Sequence, residues 1–177
     1  MSNKGKNWAD LEADIVTWLK KNYSSRLQFR NSYQSIVGFP SSGFRSDGML
    51  TDGKTLLAVE IEAGQTHPDT NTGKYWLLHK RHKQYQKIIL FHVFTPSFNS
   101  YGWRKELAGF YVAEMEKEVP IEYILKDFRK GINYNSALSE IKDAIQRKIN
   151  SSFWESQREA KPLLYNQFPF PLIRGRG

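Results

Sequence analysis

Trp8, Leu11, Ile15, Trp18 and Leu19 recur at helical spacing, so the segment from about Asn7 to Lys21 is predicted to be a helix with one apolar stripe. Leu27-Gln28-Phe29-Arg30 suits a short strand, and a Ser/Gly/Pro-rich loop from Val37 to Phe44 follows. The period then changes to two. Asp47-Gly48-Met49-Leu50 reads as a short strand, and Thr51-Asp52-Gly53-Lys54 as a turn whose Asp-Gly pair tolerates positive φ. Thr55 to Ala63 reads as the longer return strand of this hairpin. Gly64 to Gly73 reads as a loop, and Lys74 to about Gln86 as a charged helix. Lys87 to Phe94 is a continuous apolar run, short and rich in β-formers, as expected of a strand buried on both faces.

Beyond it, Thr95 to Ser100 is a Pro/Ser/Asn loop, a helix is expected near Gly102 to Phe110, and Ile121 to Phe128 is weakly strand-like. Ser136 to about Ser152 predicts a helix with Leu138, Ile141, Ile145 and Ile149 along one side. The tail from Lys161 carries three prolines, a Phe-Pro-Phe-Pro run and Arg-Gly-Arg-Gly, and is expected to be irregular. This order predicts an α/β fold with a mixed central β-sheet flanked by helices, as one domain over residues 1–160 with a tail over 161–177.

Composition narrows the class. A chain of 177 residues with 40% hydrophobic and 14% aromatic residues can bury a core, which excludes wholesale disorder. No run approaches the roughly 18 apolar residues of a membrane span. The segment from Met1 to Lys6 lacks the apolar stretch of a signal peptide. There is no cysteine, which excludes disulfides, zinc ribbons and thiol chemistry and suits a cytoplasmic protein. The net charge of +8 and pI near 9.6 favour an anionic partner, nucleic acid first.

Within this basic chain the hairpin gathers acids. Along Thr55 to Ala63 side chains alternate, so Leu57, Val59 and Ile61 share a core-facing side while Glu60 and Glu62 share the other. The hairpin brings Asp47 close to them. Carboxylates so placed repel one another and are costly to desolvate. A Glu-x-Glu in a solvated strand needs no special explanation, but this strand is strongly apolar, and buried charge is normally paired or metal-bound. Hard oxygen ligands of this kind suit Mg²⁺, with Mn²⁺ as a substitute.

The stretch Arg45-Ser46-Asp47-Gly48-Met49-Leu50, followed by Leu57-Ala58-Val59-Glu60-Ile61-Glu62, resembles the core of the PD-(D/E)XK nuclease superfamily, which includes many restriction endonucleases. The resemblance covers about Leu11 to Phe94. It implies a restriction-endonuclease-like core in which Asp47 and Glu60 bind Mg²⁺ and the Ile61 carbonyl adds a ligand. Glu62 falls where the superfamily usually has Lys, and Ser46 where it has Pro. A carboxylate at that position could ligate metal or take a proton from the attacking water, but it brings no positive charge to a phosphate.

Other residues could complete such a site. Glu12 on the first helix is a candidate, since in many superfamily members a first-helix Glu approaches the metal. Gln65 could orient water or phosphate, and Lys74 could reach in from the next helix to replace the missing motif Lys; both also fit a simple helix-leading loop. Lys80, Arg81 and Lys83 lie in the densest basic run, and with Arg45, Arg104 and Lys105 they are candidate DNA contacts, although a solvated helix face has the same look. His79 and His82 have no partners that would make a zinc site. The expected activity is Mg²⁺-dependent hydrolysis of DNA phosphodiesters by a homodimeric type II restriction endonuclease acting on duplex DNA. The alternatives are a Holliday-junction resolvase-like nuclease and a non-catalytic DNA-binding protein of the same fold.

Overall fold

The computed structural model describes residues 7–36, 45–64, 67–98 and 103–154. Trp8–Asp10 forms a 3-10 turn leading into helix α1, Leu11–Tyr23. Asn7 caps this start: its Oδ1 accepts from the Ala9 N–H and the Asp10 carboxylate accepts from the Asn7 N–H. Strands β1 (Gln28–Asn31), β2 (Gly48–Thr51) and β3 (Thr55–Glu62) then form an antiparallel meander. The β2–β3 turn is built by Asp52, whose Oδ1 accepts from the N–H groups of Lys54 and Thr55, and by Gly53 at φ 92°. Helix α2 (Pro68–His82) crosses to β4 (Lys87–Phe94), and α3 (Arg104–Met115) crosses to β5 (Ile121–Asp127), both strands running parallel to β3. Helix α4 (Tyr134–Ile149) runs into a π-turn, Asn150–Trp154.

The result is an α/β fold around one five-stranded mixed sheet in the order β1-β2-β3-β4-β5. Leu57, Val59 and Ile61 pack with Ile89, Phe91 and Val93 against Leu11, Ile15 and Leu19 of α1 and Ile141, Ile145 and Ile149 of α4. On the opposite face, Leu56, Ala58, Ile88 and Leu90 meet Tyr75 and Leu78 of α2 and Val112 and Met115 of α3. The sheet is therefore covered on both sides, as its parallel half requires. No helix among the described residues is long and apolar enough to cross a membrane.

The structure moves the bounds of helices α2 and α3. Helix α2 begins at Pro68, so most of the expected loop from Gly64 to Gly73 is helical, and it ends at His82 where Lys83 turns left-handed at φ 42°. Proline at the first helical position loses no hydrogen bond, Asp69 favours the first turn, and burying Tyr75 and Leu78 offsets the roughly 1 kcal/mol that Gly73 costs. Helix α3 runs on to Met115 because Val112 and Met115 continue its buried stripe. The expected loop from Val37 to Phe44 and the tail over 161–177 lie outside the described residues.

Candidate functional site

The register Gly48↔Val59 brings Asp47, just before β2, across from Glu60. Asp47 Oδ2 accepts the Ile61 N–H at 2.6 Å, so a side chain continues the ladder where β2 has ended. Gly48 lets α1 come close: a Cβ there would lie 3.2 Å from Leu19 Cδ1 and 3.4 Å from Val16 Cγ2. Ser46 braces the same corner, its Oγ 3.1 Å from the carbonyl oxygens of both Gly48 and Val59. A cleft of about 600 Å³ opens here, lined among others by Arg45, Asp47, Glu60, Asn71, Lys74 and Tyr111. It lies at the carboxyl end of β3, beside the first parallel pairing, where open α/β sheets characteristically place their sites.

Glu60 is 1% exposed. Its Oε1 accepts from the Tyr75 hydroxyl and lies 2.8 Å from Lys74 Nζ. Lys74 also donates to the Arg45 carbonyl, which fixes the ammonium between α2 and the segment before β2. Burial pushes the Asp47 carboxyl up to about 8, and the neighbouring charges of Glu60 and Glu12 add to this; the Ile61 N–H and the Lys74 charge oppose it. Burial, followed by the Glu60 charge, holds the Tyr75 phenol well above its ordinary range, so it is a hydrogen-bond donor at neutral pH. The site is thus an acid pair whose Glu60 is neutralised by one lysine and whose Asp47 resists ionisation.

Glu62 has another environment. It is fully buried, and its Oε1 accepts from Asn71 Nδ2 at 2.8 Å and lies 2.9 Å from His92 Nε2. The other nitrogen of His92, Nδ1, is 2.9 Å from the Tyr123 hydroxyl, so a polar chain crosses β3, β4 and β5 beneath α2 and α3. Glu62 Oε2 is buried without a partner among the described residues. Thr95 ties the strand end, its N–H and hydroxyl both donating to the Glu62 carbonyl.

The structure therefore gathers Asp47, Glu60, Lys74 and Arg45 at one cleft and draws Glu62 away from it. Glu12 is half-buried on α1 and its charge reaches Asp47. The Ile61 carbonyl, expected as a ligand, accepts the Ala63 N–H at 3.2 Å. Gln65 lies outside the described residues. Lys80 pairs with Glu118 at 2.5 Å and Arg104 with Asp69 at 3.1 Å, while Lys105 pairs with Asp127 at 2.8 Å. Arg81 and Lys83 are exposed. Sequence reasoning missed His92, Tyr123 and the roles of Ser46, Asn71 and Tyr75. A histidine within the apolar run of β4 was the one available signal. No group of three or more His, Asp or Glu side chains among the described residues stands ready to hold a metal, so the expected three-acid cluster is a pair in this arrangement.

Comparison of the chain with protein-family models, with curated proteins and with solved structures finds no match.

Proposed function

We propose that the protein is a Mg²⁺-dependent endonuclease that hydrolyses DNA phosphodiesters in this cleft. The observation that carries the proposal is the convergence of Asp47, Glu60 and Lys74 at the carboxyl end of β3, around the 2.8 Å contact between Lys74 and Glu60. The order of helix, antiparallel meander, crossover helix and parallel strand supports it, since this is the order expected of the PD-(D/E)XK core that the Asp47 and Glu60 segments resemble. The lysine expected on β3 is absent there, and Lys74 brings the same charge to Glu60 from α2.

The residues fit Mg²⁺. That ion keeps several waters and uses one or two carboxylates together with substrate oxygens, so an acid pair suffices where a closed protein shell would not. Asp47 and Glu60 would hold it. Tyr75 and Lys74 act on Oε1 of Glu60, and Ile61 on Oδ2 of Asp47, so Glu60 Oε2 and Asp47 Oδ1 carry none of these bonds. An Asp47 carboxyl held up to about 8 by burial and by Glu60 is also what a carboxylate pair shows before a cation neutralises it. When bound, the ion supplies polarisation of the phosphate and a water of lowered pKa. Lys74 would bind a non-bridging phosphate oxygen, as a compact point charge does. Tyr75 and Ser46 would keep Glu60 and its neighbours from shifting as charge develops. Cutting both strands of a duplex needs two such clefts, which a homodimer would provide.

The test is cleavage of supercoiled plasmid in Mg²⁺ or Mn²⁺. Asp47→Ala and Glu60→Ala are each expected to lower the rate on the order of 10³-fold. Two variants that cut like the parent chain would refute the site. A parent chain that binds DNA and cuts nothing would instead leave a non-catalytic DNA-binding protein.

A further inference from the structure

Tyr33 is 82% exposed, more than Trp103, Phe110 or Leu125, the other large hydrophobic side chains left in water among the described residues. It stands on the turn that ends β1. Three hydrogen bonds pin that turn: Gln34 N–H to the Asn31 carbonyl at 2.9 Å, Tyr33 N–H to Asn31 Oδ1 at 3.1 Å, and Asn31 N–H to Gln34 Oε1 at 3.3 Å. Its neighbour Ser32 lines the cleft of Asp47 and Glu60. Two residues further on, Ser35 forms a β-bridge with Arg45, another lining residue. The turn is thus the lip of the cleft on the β1 side, and Tyr111 of α3 also lines the cleft. Arg45 and Lys74 put positive charge in the same cleft.

A turn closed by its own backbone and by Asn31 and Gln34 does not need a tyrosine ring in water. An exposed ring at the rim of a cleft that holds cations is a combination that grips nucleic acid, with the cations following the backbone and the ring taking a base face. Within a duplex, neighbouring pairs cover both faces of a base. A ring on a lip can stack only where a base has left the stack, as in a single strand or an overhang.

We propose that Tyr33 is the stacking platform for an unpaired nucleobase of the strand held in the cleft, so that the protein engages single-stranded or locally opened DNA. This rests on the nucleic-acid reading of the cleft. The test is fluorescence anisotropy without divalent metal, using an oligo(dT) single strand and a blunt duplex of equal length. Tyr33→Ala is expected to weaken oligo(dT) binding roughly 5- to 100-fold and to leave duplex binding within about twofold, while Tyr33→Phe binds like the parent chain. Unchanged oligo(dT) binding by Tyr33→Ala, or equal loss on both DNAs, overturns the stacking role and leaves the nucleic-acid reading standing. A parent chain that binds neither DNA removes both.

Discussion

Glu60 and Glu62 stand on the same face of one strand, two residues apart, yet they have opposite surroundings. Glu60 meets a phenol and a lysine ammonium at a cleft that reaches solvent. Glu62 meets an amide and an imidazole in a closed interior, with one oxygen unbonded among the described residues. Glu60 has a partner that substrate could engage, whereas the partners of Glu62 are themselves held by the fold. A carboxylate becomes available for chemistry through what its neighbours leave open, and strand position alone does not decide it.

The comparison can be broken most directly with isosteric amides. Glu60→Gln is expected to lower plasmid cleavage on the order of 10³-fold. Glu62→Gln retains an acceptor for Asn71 and His92, and is expected to stay within about tenfold of the parent rate. Equal losses would place Glu62 in the chemistry and undo the distinction. His92→Ala leaves the buried Glu62 side chain with Asn71 as its remaining side-chain partner and opens a cavity, and should cost about 2–4 kcal/mol in urea denaturation. Adding Glu62→Leu to His92→Ala should recover much of that loss, since it removes the polar group left short of partners. A double variant no more stable than His92→Ala would show that the pair does not act as a unit.

Asp47 sharpens the contrast through pH. Its folded-state pKa lies near 8, above that of the unfolded chain, so its contribution is intact below the unfolded pKa and is lost as pH rises through the folded one. Asp47→Asn can still accept the Ile61 N–H. With metal chelated, it is expected to stabilise the fold near pH 9, with the gain vanishing toward pH 4. A gain that does not change with pH would contradict the assigned burial. A smaller loss than at Glu60 is expected at Lys74. Lys74→Met should lower kcat about 10²-fold, and Lys74→Arg should recover part of it. A Met variant as active as the parent would mean that the lysine serves only to neutralise Glu60.

Most of the element order was legible in the sequence. The β4 boundaries agree with the apolar run from Lys87 to Phe94, and α1 and α4 follow their stripes, because burial on one helical face or on both strand faces leaves a local period. The start of α2 was not legible. Pro68, Thr70, Asn71 and Gly73 have weak helix propensity, and what holds them helical is the burial of Tyr75 and Leu78 against a distant sheet face. That boundary matters for the site, since it places Asn71 and Lys74 on one rigid helix above β3.

The sequence by itself determined that Glu60 and Glu62 share a face opposite Leu57, Val59 and Ile61, because side chains alternate along any strand. It also put Asp47 near Glu60, because a tight hairpin leaves little freedom of register. Only the tertiary structure decided that Lys74 would serve Glu60 while His92 and Asn71 enclosed Glu62. Those contacts join residues 9 to 30 positions apart, through a crossover helix and a parallel strand. No local period encodes such pairings, since they arise when separate elements pack on one sheet.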